Sequence, residues 1–577
     1  MDKKIVRREV SKLTEGLEHP NPVLRRIYQA RNINSPDELS RELKNLLPYS
    51  LLSGIDKATK RLIQALKEQQ HIMIIGDFDA DGATSTALTV SALREFGLEN
   101  VSYLVPNRFA YGYGLTPEIV EVASTRQPDL IITVDNGISS HTGVVRANQL
   151  GIDVLITDHH LPGEQLPPAC AIINPNCKED KFPSKCLAGV GVAFYLMLAF
   201  RAQLKKNNWF EQSGLDCPNM AKFLDFVSLG TVADIVSLDK NNRILVHQGL
   251  QRIRAGQAHE GILALLEVSG RKREKLRATD LSFAIGPRLN AVGRLDDMSL
   301  GVACLLADNR NTALDIAYRL DDLNKERRVI ESQMQKEAFS AIDHLNLSQQ
   351  LPPGVCLYKE EWHQGVVGLV ASRVKERVHR PTIAFAKMSD NTLKGSARSI
   401  SGLHIRNVLE AVATKYPGLI TKFGGHAMAA GLSLPLDRYQ EFQQVFAAEV
   451  GRNFNEEDLQ LRLISDGELT SEELTLELAE LVEQAGPWGQ GFPEPVFDGC
   501  FKLVNQRVVG QQHLKLILQV PDNNYYLDGI AFHVNLEEWP NFHCEYVHLA
   551  YRLDINEFQG RRKLQLLVDH IQAQTVP

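Results

Sequence analysis

The sequence predicts an α/β protein of several domains. These are a parallel-sheet domain, a long connecting helix, a smaller α/β domain and a C-terminal β-barrel of the oligonucleotide-binding type. Three observations carry this. Between residues 71 and 157, short apolar runs alternate with helical stretches, the signature of a parallel sheet covered by helices. Residues 311–345 keep a polar and apolar alternation with Lys and Arg interleaved among acids, as one long helix would. From residue 501 onward, five strand-like segments follow one another across polar turns.

Taken in order, residues 1–50 read as a polar, leucine-spaced helical lead-in, and 56–70 as an amphipathic helix. Strands are expected at 71–75, 101–105, 129–134 and 153–157, and helices at 84–96 and 140–150. Further helical stretches lie at 187–204 and 220–236. A second α/β unit opens near Gly354, with strands at 355–358 and 382–386 and a helix at 366–378. The last strands are expected at 501–509, 513–520, 526–534, 545–555 and 562–571; a closed barrel is favoured, with a sandwich as the alternative. The expected division is 1–50 (lead-in), 51–300 (first α/β domain), 301–350 (connector), 351–455 (second α/β domain) and 456–577 (barrel).

The chain has 577 residues, enough for several domains of about 150 residues each. It is 44% hydrophobic and 23% charged, which excludes a disordered or fibrous chain. No run reaches the roughly 18 apolar residues of a membrane span, and the first residues lack the apolar core of a secretory signal. Eight cysteines without a CxxC pair suit free thiols in a reducing, cytoplasmic setting. A net charge of −7 neither requires nor excludes a nucleic-acid partner. Only local basic runs could carry one: Lys205-Lys206, residues 271–277 and Arg561-Arg562-Lys563. Runs of this kind are more often a solvated face than a ligand contact.

Three expected strands end in acids. The first is followed by Asp77, Asp79 and Asp81, within Asp77-Phe78-Asp79-Ala80-Asp81-Gly82. The third ends at Asp135, and the fourth at Asp158-His159-His160. Ligands of an open parallel sheet lie beyond the carboxyl ends of its strands, so these residues should converge. Five carboxylates meeting there would repel one another unless cations neutralised them. Oxygen donors with one or two imidazoles suit Mg²⁺ or Mn²⁺. Two such ions, about 3.5–4 Å apart and bridged by a carboxylate, would activate a water and hold a phosphate. Taken alone, the first cluster also resembles a calcium loop, but Leu88 stands where that loop needs its Glu. Asp234, in Gly230-Thr231-Val232-Ala233-Asp234, is read as either a helix cap or a metal ligand.

In order, Asp77-Phe78-Asp79-Ala80-Asp81-Gly82, Val134-Asp135-Asn136-Gly137, Asp158-His159-His160 and Gly230-Thr231-Val232-Ala233-Asp234 resemble the four motifs of the DHH phosphoesterase superfamily. Gly424-Gly425-His426, with Gly395-Ser396-Ala397-Arg398-Ser399, looks like that superfamily's DHHA1 domain. The length, the connector and the barrel are most similar to its bacterial single-strand-specific 5′→3′ exodeoxyribonucleases.

The resemblance implies removal of nucleotides from a 5′ end with two Mn²⁺ or Mg²⁺ ions, in DNA repair and recombination. It implies that Asp79, Asp81, Asp135, His159 and Asp234 are metal ligands, with Asp135 the bridge. Asp77 is either a ligand or an acid behind the ligands. Asp158 would orient the histidines, and His160 would face the scissile phosphate. Phosphate contacts are implied for Ser372, Arg373, Ser396, Arg398, Gly424, Gly425 and His426, and in the first domain for Arg108, Arg288 and Arg294. Each arginine, taken singly, reads equally as a salt bridge.

Phe78 stands where many relatives carry Tyr. The implied partner is single-stranded DNA, with single-strand-binding protein and a helicase as candidates, no membrane, and a monomeric chain. A phosphodiesterase for short oligonucleotides or other small phosphoesters is the alternative. A scaffold without catalysis is disfavoured because every ligand position is filled.

Overall fold

The computed structural model describes residues 4–9, 17–107, 111–348, 351–388, 390–453, 461–520 and 523–574. They divide into two compact units, Met1–Val6 with Asp322–Leu463, and Arg7–Asp321 with Ile464–Pro577.

The larger unit is built on a five-stranded sheet: β1 (Ile72–Gly76), β2 (Val101–Leu104), β3 (Leu130–Val134), β4 (Asp153–Thr157) and β5 (Ala171–Ile173). Its order is β2-β1-β3-β4-β5, with every pairing parallel. Every residue of β1 and β3 is buried, which is why their sequences are unbroken apolar runs rather than alternating ones. The chain leaves β1 for one edge and returns to its other side as β3, so the order reverses between them. At such a point the loops after the two strands diverge and open a crevice at their carboxyl ends. The helix Ala80–Glu95 follows β1 and starts earlier than the expected residue 84, because Asp79 caps it. It is buried along nearly its whole length, between the helices Gly189–Lys206 and Leu224–Ala233. Its Ala, Gly, Ser and Thr content suits that close packing.

The helical lead-in expected over residues 1–50 is corrected by the structure. Among the described residues, that stretch holds a short strand, Lys4–Arg7, one α-helix, Pro22–Gln29, and three short 3₁₀ turns, the last ending at Leu51. Pro20, Pro22, Pro36 and Pro48 each remove a backbone donor and break the periodicity. The segment instead ties the C-terminal part of the unit down. Arg31 pairs bidentately with Asp466, at 2.9 and 3.0 Å, with both side chains 1% exposed. Tyr28 donates to the carbonyl of Ala485 and stacks on Trp488 and Phe492, and Arg243 lies over the Phe492 ring.

The same unit carries a closed barrel of β11 (Phe497–Val509), β12 (His513–Gln519), β13 (Tyr526–Ala531), β14 (Tyr546–Phe558) and β15 (Arg561–Gln574), as expected from the sequence. These numbers leave β6 to β10 for the smaller unit. All barrel pairings are antiparallel except β13 with β15. Arg277 reaches Glu483 and Asp554, so the barrel and the region around residue 277 share ion pairs.

The smaller unit has β6 (Val355–Tyr358), β7 (Thr382–Lys387), β8 (Thr392–Arg398), β9 (Lys422–Gly425) and β10 (Ala429–Pro435), in the order β9-β10-β8-β7-β6. The helices Ile405–Lys415 and Tyr439–Arg452 share one hydrophobic core with Ile383, Phe385, Ala397 and Leu432. On the other face, Val367–Val378 and residues 334–342 of the 39-residue helix Arg310–Ser348 pack on Ala384 and Ala386. That long helix confirms the continuous pattern read over 311–345.

The buried Arg31–Asp466 pair gives a direct test of the tie. Asp466→Ala leaves a guanidinium buried without its counter-charge and should destabilise the chain by about 3–5 kcal/mol. Replacing both partners by apolar residues of similar volume should restore most of the loss. Chemical denaturation checks both, and a single variant within about 1 kcal/mol of the parent contradicts the assignment.

Candidate active site

The three acidic strand ends meet at the order reversal. Gly76 is in register with Val134, and Val134 with Thr157, so Asp77, Asp135 and Asp158 leave neighbouring strands at one level. Asp135 takes a left-handed conformation, φ 62°, and its amide donates to Thr157 O at 3.0 Å. Asp tolerates this region better than most residues, and strain of this kind gathers at functional sites. Asn136 Nδ2 donates to Ile75 O and Val134 O, locking the ends of β1 and β3 together.

Two helix starts face the cluster. Asp79 Oδ1 accepts from the amides of Asp81 and Gly82 and so caps Ala80–Glu95. Asp81 accepts from Gly189 N at 2.6 Å and Val190 N at 2.9 Å, at the first turn of Gly189–Lys206. Unpaired amides and the helix dipole favour anionic groups at both places. Gly189 is required here, since a Cβ would lie 2.5 Å from the Asp135 Cβ. At Gly230 a Cβ would meet Thr84 Oγ1 at 2.4 Å and Asp81 Oδ1 at 2.8 Å. That glycine lets Leu224–Ala233 approach closely enough to deliver Asp234 from its C-cap. Asp234 is therefore both of the things its sequence allowed, a cap residue and a member of the cluster.

The side chains form overlapping groups whose ligand atoms lie within 4.8 Å of one another: Asp77, Asp79 and Asp135; Asp81, His159 and Asp234; and Asp135, His159 and His160. The first two share no residue. They are joined where His159 Nε2 stands 3.1 Å from Asp135 Oδ1, with Asp234 Oδ2 at 3.5 Å from the same nitrogen. Burial and mutual repulsion push the carboxyls of Asp135 and Asp234 well above the usual range, and burial with the charge of Asp79 pushes Asp81 up to about 7. Asp135 Oδ1 is buried with no hydrogen-bond donor among the described residues. A donor set of buried carboxylates and an imidazole, with an unsatisfied oxygen at its centre, fits hard divalent cations such as Mg²⁺ or Mn²⁺.

Asp158 lies behind the histidines. Its Oδ1 accepts from the amides of His159 and His160 and from His160 Nδ1 at 2.7 Å, while Oδ2 accepts from Ile138 N. Burial raises this carboxyl, but the hydrogen bonds and charge of His160 outweigh it and hold it below the usual range. Burial would lower His160; Asp158 reverses that and raises the imidazole to about 9. His160 is therefore a cation at neutral pH. Asn174 and Asn176 donate to the carbonyls of His160 and His159 and fix the loop.

Several site residues escape the sequence reading. Tyr113 OH lies 3.1 Å from His160 Nδ1 and 3.4 Å from Asp135 O, and its ring packs edge-on against His160 and Phe78. The available signal was an aromatic between two glycines, Gly112 and Gly114, both with positive φ. Asn290 Oδ1 accepts from Ala80 N, and a Cβ at Gly293 would lie 1.8 Å from Phe78 O. The segment 286–294 thus braces the first acidic motif.

Of the three first-domain arginines expected to contact phosphate, two are among the described residues. Arg108 lies outside the described residues. Arg288 is buried in an ion pair with Asp321 at 2.7 Å. Arg294 is half-buried in the last turn of Gly286–Leu295.

In the smaller unit, Ser396, Gly431 and Gly424 are in register across β8, β10 and β9. Lys394, Ser396 and Arg398 alternate with buried neighbours on one face of β8, and the start of Val367–Val378 approaches Ser396 and Arg398 at Gly368. Arg398 donates to Ser396 Oγ and Ala397 O, and the absence of a side chain at Gly368 makes room for both residues. Gly425, φ 141°, leads into the turn at His426, which is exposed. Ser372 donates to Gly368 O, and Arg373 is half-exposed between Glu331 and Glu376.

Residues 71–231 match the DHH family, N-terminal domain; residues 352–452 match the DHHA1 domain; and residues 465–570 match the RecJ OB domain. The chain is 55% identical to the single-stranded-DNA-specific exonuclease RecJ of Escherichia coli over 566 residues, 98% of either chain. It is 52% identical to that of Haemophilus influenzae over 575 residues, 99% of either chain. Among solved structures it is similar to RecJ from Thermus thermophilus in complex with Mn²⁺. The TM-score is 0.79 at 27% identity, covering 99% of this chain and 78% of that one.

Two outcomes are expected. Tyr113→Phe should lower kcat about tenfold, the worth of a hydrogen bond beside a charged group, and leave Mn²⁺ affinity unchanged. Unchanged kcat would make the phenol a packing group. Mn²⁺ binding should release protons and tighten as pH rises from 6 to 8, because the raised Asp81 carboxyl holds a proton below about 7 that the ion must displace. Calorimetry in two buffers of different ionisation enthalpy reads that release directly, and equal heats would contradict it.

Proposed function

The chain belongs to the RecJ family of single-stranded-DNA-specific exonucleases, and on that footing we propose that it hydrolyses single-stranded DNA from the 5′ end, with Asp77, Asp79, Asp81, Asp135, His159 and Asp234 holding two Mn²⁺ or Mg²⁺ ions. The observation that carries this reading is the pair of disjoint three-residue groups joined at Asp135 and His159. Asp135 belongs to the first group and, with His159 and His160, to a third, so the two disjoint groups meet where its Oδ1 lies 3.1 Å from His159 Nε2. Ions held by these residues would supply Lewis-acid chemistry, activation of a water and neutralisation of charge on the phosphoryl group.

The protein's own groups do the rest. His160, held as an imidazolium by Asp158, donates from Nε2 to a non-bridging phosphate oxygen and stabilises the charge that grows there. Asp158 fixes the proton on Nδ1 and so sets which nitrogen faces the substrate. In the smaller unit, the face of Lys394, Ser396, Arg398 and the in-register glycines offers backbone and guanidinium donors to phosphates. The barrel strands expose the rings of Tyr526 and Phe558 and the basic side chains of Arg507, Arg561 and Lys563, and the loops between them expose Tyr525, Phe532 and Phe542. Those are surfaces for stacking bases and tracking a backbone without reading sequence. A strand freed by a helicase and coated by single-strand-binding protein would reach a monomeric, cytoplasmic enzyme, in the service of repair and recombination.

Asp135→Asn should abolish hydrolysis of a labelled strand at saturating Mn²⁺. It should also leave the metal-free protein as stable as the parent or more so, because one repelling charge is gone. Strands labelled at either end, assayed side by side, give the polarity: early release of the 5′ label supports the reading, and early release of the 3′ label contradicts it.

A further inference from the structure

The cluster is sealed on one side and open on another. The side chains of Asp81 and Asp135 are 0% and 2% exposed, those of Asp234 and His160 25% and 29%. Of these four, the water-facing members are thus Asp234 and His160. The residue after Asp234 is Ile235, whose side chain is turned into solvent, with 65% of the residue exposed. Its φ of 59° is left-handed, a conformation that a β-branched residue adopts only under strain.

The Val232 carbonyl accepts the amide of Ile235 and also the hydroxyl of Ser282, at 2.8 Å. Ser282 belongs to a π-helical turn, Leu281–Ile285, whose next residue is Phe283. Phe283 is 74% exposed. Widened turns of this kind are rare and recur at functional sites. Two unusual backbone conformations, tied through one carbonyl, thus hold two large apolar side chains in water beside the open rim of a highly charged cluster.

Exposing both side chains has a cost that core packing does not explain. We infer that Phe283, backed by Ile235, forms a stacking step for an unpaired base next to the phosphate held at the cluster. The inference rests on the nuclease reading and extends it. It names a residue through which that site prefers unpaired nucleotides, since a base held in a duplex stack cannot also lie on a protein ring. Stacking of this kind is sequence-tolerant because every base has a π-face.

Affinity for a non-hydrolysable labelled oligonucleotide, in the presence of Mn²⁺, tests the contact without turnover. The parent should bind an ordinary strand about tenfold tighter than one carrying three abasic nucleotides at each end, within the range for base–aromatic stacking. Phe283→Ala should bind both strands alike, at the abasic level, and Phe283→Tyr should restore the discrimination. The melting temperature and Mn²⁺ affinity of Phe283→Ala should match the parent, because the ring is outside the core. A Phe283→Ala protein that still discriminates by tenfold overturns the inference, as does a parent that binds the two strands alike. Hydrolysis by the parent, followed separately, reports on the nuclease reading. Activity with no role for Phe283 sinks only the stacking step, and a parent without activity sinks the nuclease reading whatever the binding shows.

Discussion

Burial of like charge is the constraint around which the larger unit is arranged. Asp77, Asp79, Asp81, Asp135 and Asp234 come together where the strand order reverses, and Asp81 and Asp135 are shut away from water. No arginine or lysine is ion-paired to Asp81, Asp135 or Asp234 among the described residues; the imidazole of His159 lies within 4.0 Å of all three. The fold lowers the cost by other means. Two helix starts point amides at Asp79 and Asp81, and glycines at 189 and 230 allow the approach that a Cβ would block. What remains unneutralised is the demand for divalent cations, and that demand is what makes the place useful to a phosphodiester.

The imidazole pair shows how one loop divides two tasks. His159 turns into the cluster, and His160 is drawn back onto Asp158 and charged by it. Both amides of the loop and its second ring converge on one carboxylate oxygen, so the separation is built into the backbone. The barrel and the lead-in matter to this indirectly. Arg31, Tyr28 and Arg243 clamp the segment that carries Asp466, Trp488 and Phe492, and the barrel grows out of that segment.

Much of this was legible in the sequence. Strands buried on both faces have to be written as apolar runs, and an acid directly after such a run stands at a strand end, so Asp77, Asp135 and Asp158 could be placed without coordinates. The five barrel strands alternate visibly for the same physical reason. Other features depend on distant partners. Arg288 reads in the sequence as a phosphate contact or a salt bridge alike, and its partner Asp321, on the long helix, is not visible from its own motif. Tyr113 reaches His160 only because its loop folds over the carboxyl ends of the strands. The prolines that break the lead-in stand in plain view, but the leucine spacing around them imitates a helix.

If the two disjoint groups, which meet at Asp135 and His159, hold one ion each, the ions must lie close together. Electron paramagnetic resonance of the intact chain loaded with Mn²⁺ tests it most directly. Two ions per chain are expected, with the exchange-coupled spectrum of a closely spaced pair. A single ion per chain, or two ions giving the simple six-line spectrum of isolated Mn²⁺, would contradict it.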